Sequence, residues 1–145
     1  MVRETASGAM LAIMRRKDLL EEALTRSVIG AFFEVYNTLQ FGLFEDLYAK
    51  ALAWELVSRG HRVTREFGVR VCYKGCDLGI QRLDLVVDET LVVEIKSTQD
   101  LHKAAVRQVY NYLRVSNLEL GLLLHFGPDP RFYRVYAPND PAPGR

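Results

Sequence analysis

A layered α/β fold, with a mixed sheet covered by helices, is predicted by three features of the chain. Apolar residues recur at helical spacing before residue 60, they switch to a period of two after it, and one helical segment then separates the strand-like runs. From Asp18 to Gln40 the residues Leu20, Leu24, Val28, Phe32, Tyr36 and Leu39 follow one another at steps of three or four, the spacing of a single helix face. Phe41-Gly42 breaks this pattern, and Leu47, Tyr48, Ala51, Leu52 and Leu56 resume it up to Gly60, a residue suited to the left-handed position past a helix end. From Arg62 onward Phe67, Val69, Val71 and Tyr73 alternate with Glu66, Gly68, Arg70 and Cys72, and Lys74-Gly75 forms a turn. Leu78 to Val87 and Leu91 to Ile95 are two more strands, joined by the polar Asp88-Glu89-Thr90. Helical spacing returns from Leu101 to Val115 through Ala105, Val109, Tyr112 and Leu113. Leu120 to Phe126 is a near-continuous apolar run, as in a strand buried on both faces, and Phe132 to Tyr136 makes a shorter last strand. The predicted order is α-α-β-β-β-α-β-β, without internal repeats.

With 145 residues, 49% of them hydrophobic and 26% charged, the chain suits one domain with one core. We expect this domain at 17–137, with a loosely held extension at 1–16, where no period is sustained, and a Pro-rich tail at 138–145. A net charge of +1 argues against coating nucleic acid by bulk electrostatics and confines any such contact to a local basic stripe. Cys72 and Cys76 are too few for a disulfide framework or a four-thiolate cluster and are expected to be reduced. The apolar stretch Ala9 to Met14 is far shorter than the ~20 residues of a spanning helix, and its basic cluster follows rather than precedes it. A cytoplasmic protein, not held in a membrane, is expected.

Three charges fall inside segments that otherwise look buried, where an unpaired ion is costly: Asp84, Glu94 and Lys96. Alternation along a strand sends Glu94 and Lys96 to one face ~6.6 Å apart, with Val93 and Ile95 on the other. A three-residue loop of Asp88, Glu89 and Thr90 would pair Val87 with Leu91 and so Asp84 with Glu94, their Cβ atoms ~5 Å apart; a two-residue loop would put them on opposite faces. Two opposed carboxylates repel unless a cation lies between them, and hard oxygen ligands with open water positions suit Mg²⁺ or Mn²⁺. Such an ion activates water and offsets charge on a phosphate, with Lys96 placed to help, a chemistry that suits phosphodiester hydrolysis. The plainer alternative makes Asp84 and Glu94 edge-strand charges paired with Arg82 and Lys96, without chemistry.

Asp84 followed ten residues later by Glu94-Ile95-Lys96, on adjacent strands between two helices, resembles the PD-(D/E)XK motif. Upstream, Gly42-Leu43-Phe44-Glu45-Asp46-Leu47-Tyr48 is similar to the signature of the GxxExxY family within that superfamily. Downstream, Gln108-Val109-Tyr110-Asn111-Tyr112 resembles the Q-x-x-x-Y motif of RecB-type and Cas4-type nucleases. The resemblance runs from about Ser27 to about Tyr136 and includes Tyr73-Lys74-Gly75 and Arg82-Leu83-Asp84.

It implies a restriction-endonuclease-like αβββαβ core and a divalent-metal-dependent nuclease acting on DNA or RNA. Asp84, Glu94 and the Ile95 carbonyl would hold the metal, Glu45 would add an acid from the second helix, and Lys96 would be the catalytic lysine. Gln108 and Tyr112 would lie near the substrate. Their spacing of four places both on one helix face, as the spacing of three does for Glu45 and Tyr48, although Tyr48 and Tyr112 also fit apolar stripes. The cysteine set of the RecB and Cas4 proteins is missing, so no iron–sulfur cluster is implied. His61, His102 and His125 occur singly and receive no role. Arg62, Arg65, Arg70, Lys103, Arg107 and Arg114 are available for phosphates, and the first helix for a homodimer. Two alternatives stay open: a catalytically silent nucleic-acid-binding or regulatory module on the same fold, and an enzyme acting on another phosphate ester.

Overall fold

The computed structural model describes the backbone of residues 2–138 and the side chains of residues 8, 9, 12 and 16–138. Among them the elements are α1 (Val2–Leu39), α2 (Glu45–Ser58), β1 (Val63–Tyr73), β2 (Cys76–Val87), β3 (Leu91–Lys96), α3 (Ala105–Ser116), β4 (Leu120–Phe126) and β5 (Pro130–Tyr136). Apart from Pro138, the expected tail lies outside the described residues. The backbone of 2–16, expected as an extension, continues α1 back to Val2; the stretch is rich in Ala, Met, Leu, Arg and Glu, strong helix formers, and holds no proline to stop it. Gly60, with φ +90°, follows α2 as expected.

The five strands lie side by side in the order β1-β2-β3-β4-β5. All neighbours are antiparallel except β3 and β4, whose parallel pairing requires a crossover, and α3 provides it. This is the mixed sheet flanked by helices that the sequence predicts. No helix among the described residues is long and apolar enough to cross a membrane.

Because side chains alternate, each central strand supplies two cores. Leu85, Val87, Leu91, Val93, Ile95, Leu122, Leu124 and Phe126 meet Val28, Phe32, Tyr36, Tyr48, Leu52 and Leu56 of α1 and α2. On the opposite face Leu83, Val86, Val92, Leu123 and Val135 meet Ala105, Val109 and Leu113 of α3. Gly121 admits this helix: a Cβ there would come within 2.9 Å of Val109 and 3.3 Å of Leu113. Leu83 and Leu85 are two apart yet belong to opposite cores. The β1/β2 ladder pairs Arg65 with Leu85 and Phe67 with Leu83 but is interrupted between them, where Glu66 takes φ +51°. Asp84 stands at this irregularity.

A polar chain fixes the β2/β3 hairpin to the helices. Asp88 accepts from the Arg62 N–H at 2.8 Å, its other oxygen lies 2.7 Å from His61 Nδ1, and His61 Nε2 lies 2.7 Å from Ser27 Oγ on α1. Ser27 sits inside a helix whose backbone donors are spent on the helix itself, and the chain ties α1 to the β2/β3 hairpin.

Candidate metal centre

The site begins with the turn. Asp88 and Glu89 take φ +50° and +59°, the Thr90 N–H donates to the Val87 carbonyl at 3.0 Å, and Val87 pairs with Leu91, Val86 with Val92 and Leu85 with Val93. Continued by one step, this register sets Asp84 opposite Glu94, as the three-residue loop requires. The ladder stops there because the Asp84 carboxylate takes the place of a backbone acceptor: its Oδ2 accepts from the Ile95 N–H at 2.8 Å. In an extended strand a residue's carbonyl leaves on the same edge as its N–H, so the Ile95 carbonyl also turns toward Asp84.

Glu94 is 6% exposed, and its Oε1 lies 3.8 Å from the Lys96 ammonium. Its Oε2 is buried without a hydrogen-bond partner. Burial pushes the Asp84 carboxyl above its ordinary pKa, partly countered by the Ile95 N–H. Glu94 is pushed up to about 8, first by burial and then by the Asp84 carboxylate, while Lys96 pulls the other way. The cost of holding two carboxyls together in a partly dry place is thus written on both of them.

Glu45 reaches the same region from the first turn of α2, and the loop before it explains how. Gly42 takes φ +121°, a conformation that admits glycine readily, and buried Tyr48 stacks on Phe126 with ring centroids 4.0 Å apart. The Tyr48 hydroxyl donates to the Gln40 carbonyl and accepts from the Leu43 N–H. Held this way, Glu45 accepts from the Ser97 N–H at 3.2 Å just past β3, and its charge helps to raise both Asp84 and Glu94. Tyr48 is therefore a core residue that latches a loop. Glu45 stands at the rim of the carboxylate pair, with one oxygen engaged by backbone.

From the other side α3 brings Gln108 and Tyr112. Tyr112 is half-buried, and its hydroxyl is pushed above its usual pKa by burial first, then by the Glu94 and Asp84 carboxylates, with Gln108 pulling the other way. A cavity of about 380 Å³ over this surface is lined by Glu45, Lys96, Thr98, Asp100 and Gln108 among others. The structure thus brings together Asp84, Glu94, Lys96, Glu45, Gln108 and Tyr112, contributed by four elements. Among the described residues no group of three or more His, Cys, Asp or Glu side chains is placed to hold a metal ion. Two carboxylates with open positions fit an ion that keeps several waters.

The candidate phosphate-binding cations divide into two groups. Arg62 faces Glu89 at 3.3 Å, Arg65 faces Asp46 at 2.8 Å and Arg70 pairs with Asp77, so these three are neutralised. Arg114 on α3 and Lys103 just before it make no ion pair among the described residues, and Arg107 lies over the Tyr110 ring at 4.9 Å. His125 was given no role by its spacing, yet it lies beside Lys96 in the β3/β4 register and is 4% exposed. Parallel pairing of two distant strands was the signal needed, and no local pattern carries it.

A mixed sheet, a crossover helix and an acid pair with an adjacent lysine at the end of a hairpin define a nuclease-like class of α/β protein. The family model of the PD-(D/E)XK nuclease superfamily matches residues 22–135, and the chain belongs to this superfamily. Its nucleases generally use divalent metals and act on nucleic acids. A solved crystal structure, that of SSO0001, is similar with a TM-score of 0.53 and 21% identity, over 67% of this chain and 52% of that one. The likeness is one of fold, and the chain spans about half the length of that structure. No curated protein matches it.

Proposed function

We propose that the chain is a divalent-metal-dependent nuclease that hydrolyses phosphodiester bonds of DNA or RNA at Asp84, Glu94 and Lys96. The observation that carries the reading is the opposed carboxyl pair, buried at Glu94 and half-buried at Asp84, with the Lys96 ammonium 3.8 Å from Glu94 Oε1. Asp84, Glu94 and the Ile95 carbonyl would hold Mg²⁺ or Mn²⁺, with Glu45 beside them. When bound, such an ion supplies a water acidic enough to attack and offsets charge on the phosphate.

The chain's own groups do the rest. Lys96 presents an ammonium to the phosphate oxygens as charge builds there. Gln108 and Tyr112 would orient the scissile group from the α3 side of the pair, and Lys103, Arg107 and Arg114 attract the backbone of the strand from the same side. Within the superfamily we assign the chain to the GxxExxY proteins, related to RecB-type and Cas4-type nucleases, on Gly42, Glu45, Tyr48, Gln108 and Tyr112. We further propose one domain at 17–137, residence in the cytoplasm, and homodimerisation through the exposed Leu19 and Leu20 of α1.

The test is cleavage of labelled single- and double-stranded DNA and RNA with Mg²⁺, Mn²⁺ or EDTA, comparing wild type with Lys96→Ala. Metal-dependent cleavage lost in the variant supports the reading. An inert wild type on every substrate sinks it and leaves the silent binding module on the same fold.

A further inference from the structure

The strand register carries the carboxylate face further across the sheet. Parallel pairing sets Lys96 beside His125, and antiparallel pairing sets His125 beside Arg131, so the three share one face. Between the segment after β3 and the β4/β5 turn lies a cavity of about 470 Å³ lined by Gln99, Asp100, His125, Asp129, Arg131 and Tyr133. It shares Asp100 and Leu101 with the cavity over Lys96 and Gln108, so the two are adjoining compartments of one surface.

This second compartment offers both donors and acceptors at separate places. His125 Nε2 lies 2.9 Å from the Thr98 carbonyl and 3.1 Å from the Thr98 hydroxyl, which hold the ring against the segment after β3. Nδ1 is buried and has no hydrogen-bond partner, so the ring serves as a fixed wall of the cavity. Gly127 leaves room for the ring: a Cβ there would come within 2.7 Å of Cε1. Asp100 and Asp129 accept only, Arg131 donates only, and Tyr133 adds a flat aromatic surface.

We propose that this cavity receives an unpaired nucleobase next to the scissile phosphate, and that it prefers guanine. Guanine offers N1–H and N2 amino donors to the carboxylates, and O6 and N7 acceptors to a guanidinium, which is the complement of this lining. The edge that carries these donors is occupied in a duplex, so the substrate at this position is single-stranded or locally opened. The inference deepens the nuclease reading, which provides the strand that passes Lys96, while the base contacts themselves require neither metal nor turnover.

The test is an NMR titration of the ¹⁵N-labelled full chain, in EDTA, with GMP, AMP, CMP and UMP in turn. The amides of 99–101 and 125–133 are expected to shift with GMP about tenfold more tightly than with the others, with Arg131→Ala and Asp129→Asn each weakening binding about fivefold or more and Arg131→Lys retaining part of it. Arg131 and Asp129 are exposed, so the variants keep the fold. Equal affinity for all four nucleotides, no shift at these amides, or wild-type binding by Arg131→Ala would overturn the proposal. GMP bound here by a protein that cleaves nothing would leave the cavity standing and remove the nuclease reading; cleavage without GMP binding would do the reverse.

Discussion

The two faces of the central strands are made from the same residues taken alternately, yet they are built to different ends. Toward α1 and α2, Leu85, Val87, Val93, Ile95, Leu124 and Phe126 form an apolar layer with no charged member. Toward α3 the apolar layer of Val86, Val92 and Leu123 gives way at the strand ends to Asp84, Glu94, Lys96 and His125. Charge is tolerated on one face because the other secures the sheet. Substitutions on the two faces should therefore separate activity from stability.

The largest effect is expected at Asp84. Asp84→Asn should lower metal-dependent cleavage by about 10³-fold while the melting temperature stays level or rises, because one of two repelling carboxyls is removed. Steady-state cleavage beside a thermal melt checks both halves, and a matched loss of fold and activity would break the contrast between the faces. On the opposite face Phe126→Ala removes a ring packed on Phe32 and Tyr48 with no exposure. It should cost about 3–5 kcal/mol in denaturant unfolding, with cleavage per folded molecule nearly unchanged.

A third, intermediate effect follows from protonation. Folded Glu94 holds its proton up to about 8 against an ordinary 4.5, so the native state binds more protons than the unfolded chain between these values. Stability from this site is fully present below about 4.5 and is lost as pH rises through about 8. Glu94→Gln should remove that slope, raising the metal-free melting temperature at pH 8 by about 2–6 °C and changing little at pH 4.5. Melts across this range decide it, and an unchanged slope in the variant would show that Glu94 is not the titrating group. The smallest effect is expected at Tyr112, where Phe keeps the packing and loses the hydroxyl. Cleavage should fall about tenfold or less with the fold intact, and a Tyr112→Phe rate equal to wild type would make this ring a packing residue only.

Much of the hairpin that carries the acids was legible in the sequence. A loop length fixes a register and a register fixes a face, so Asp88-Glu89-Thr90 alone sets Asp84 opposite Glu94. Helix and strand order was legible too, because each element buries one face against a single layer. What needs the folded chain is harder to see locally. The exchange of faces between Leu83 and Leu85 goes with a glutamate at positive φ on the neighbouring strand, at the break in the β1/β2 ladder. The neutralisation of Arg65 by Asp46 joins α2 to β1, and the place of His125 depends on which strand becomes the parallel neighbour of β3. Gly42, Glu45 and Tyr48 stood out as a motif, whereas their division of labour, with a free turn, a rim acid and a core latch, rests on contacts with Ser97 and Phe126.

The most direct measurement is calorimetric titration of Mn²⁺ into the wild-type chain, Asp84→Asn and Glu94→Gln near pH 8. The account predicts a divalent ion bound by the wild type and binding lost or weakened about tenfold or more in both variants. A wild type that binds no ion, or variants that bind it as well as the wild type does, would contradict it.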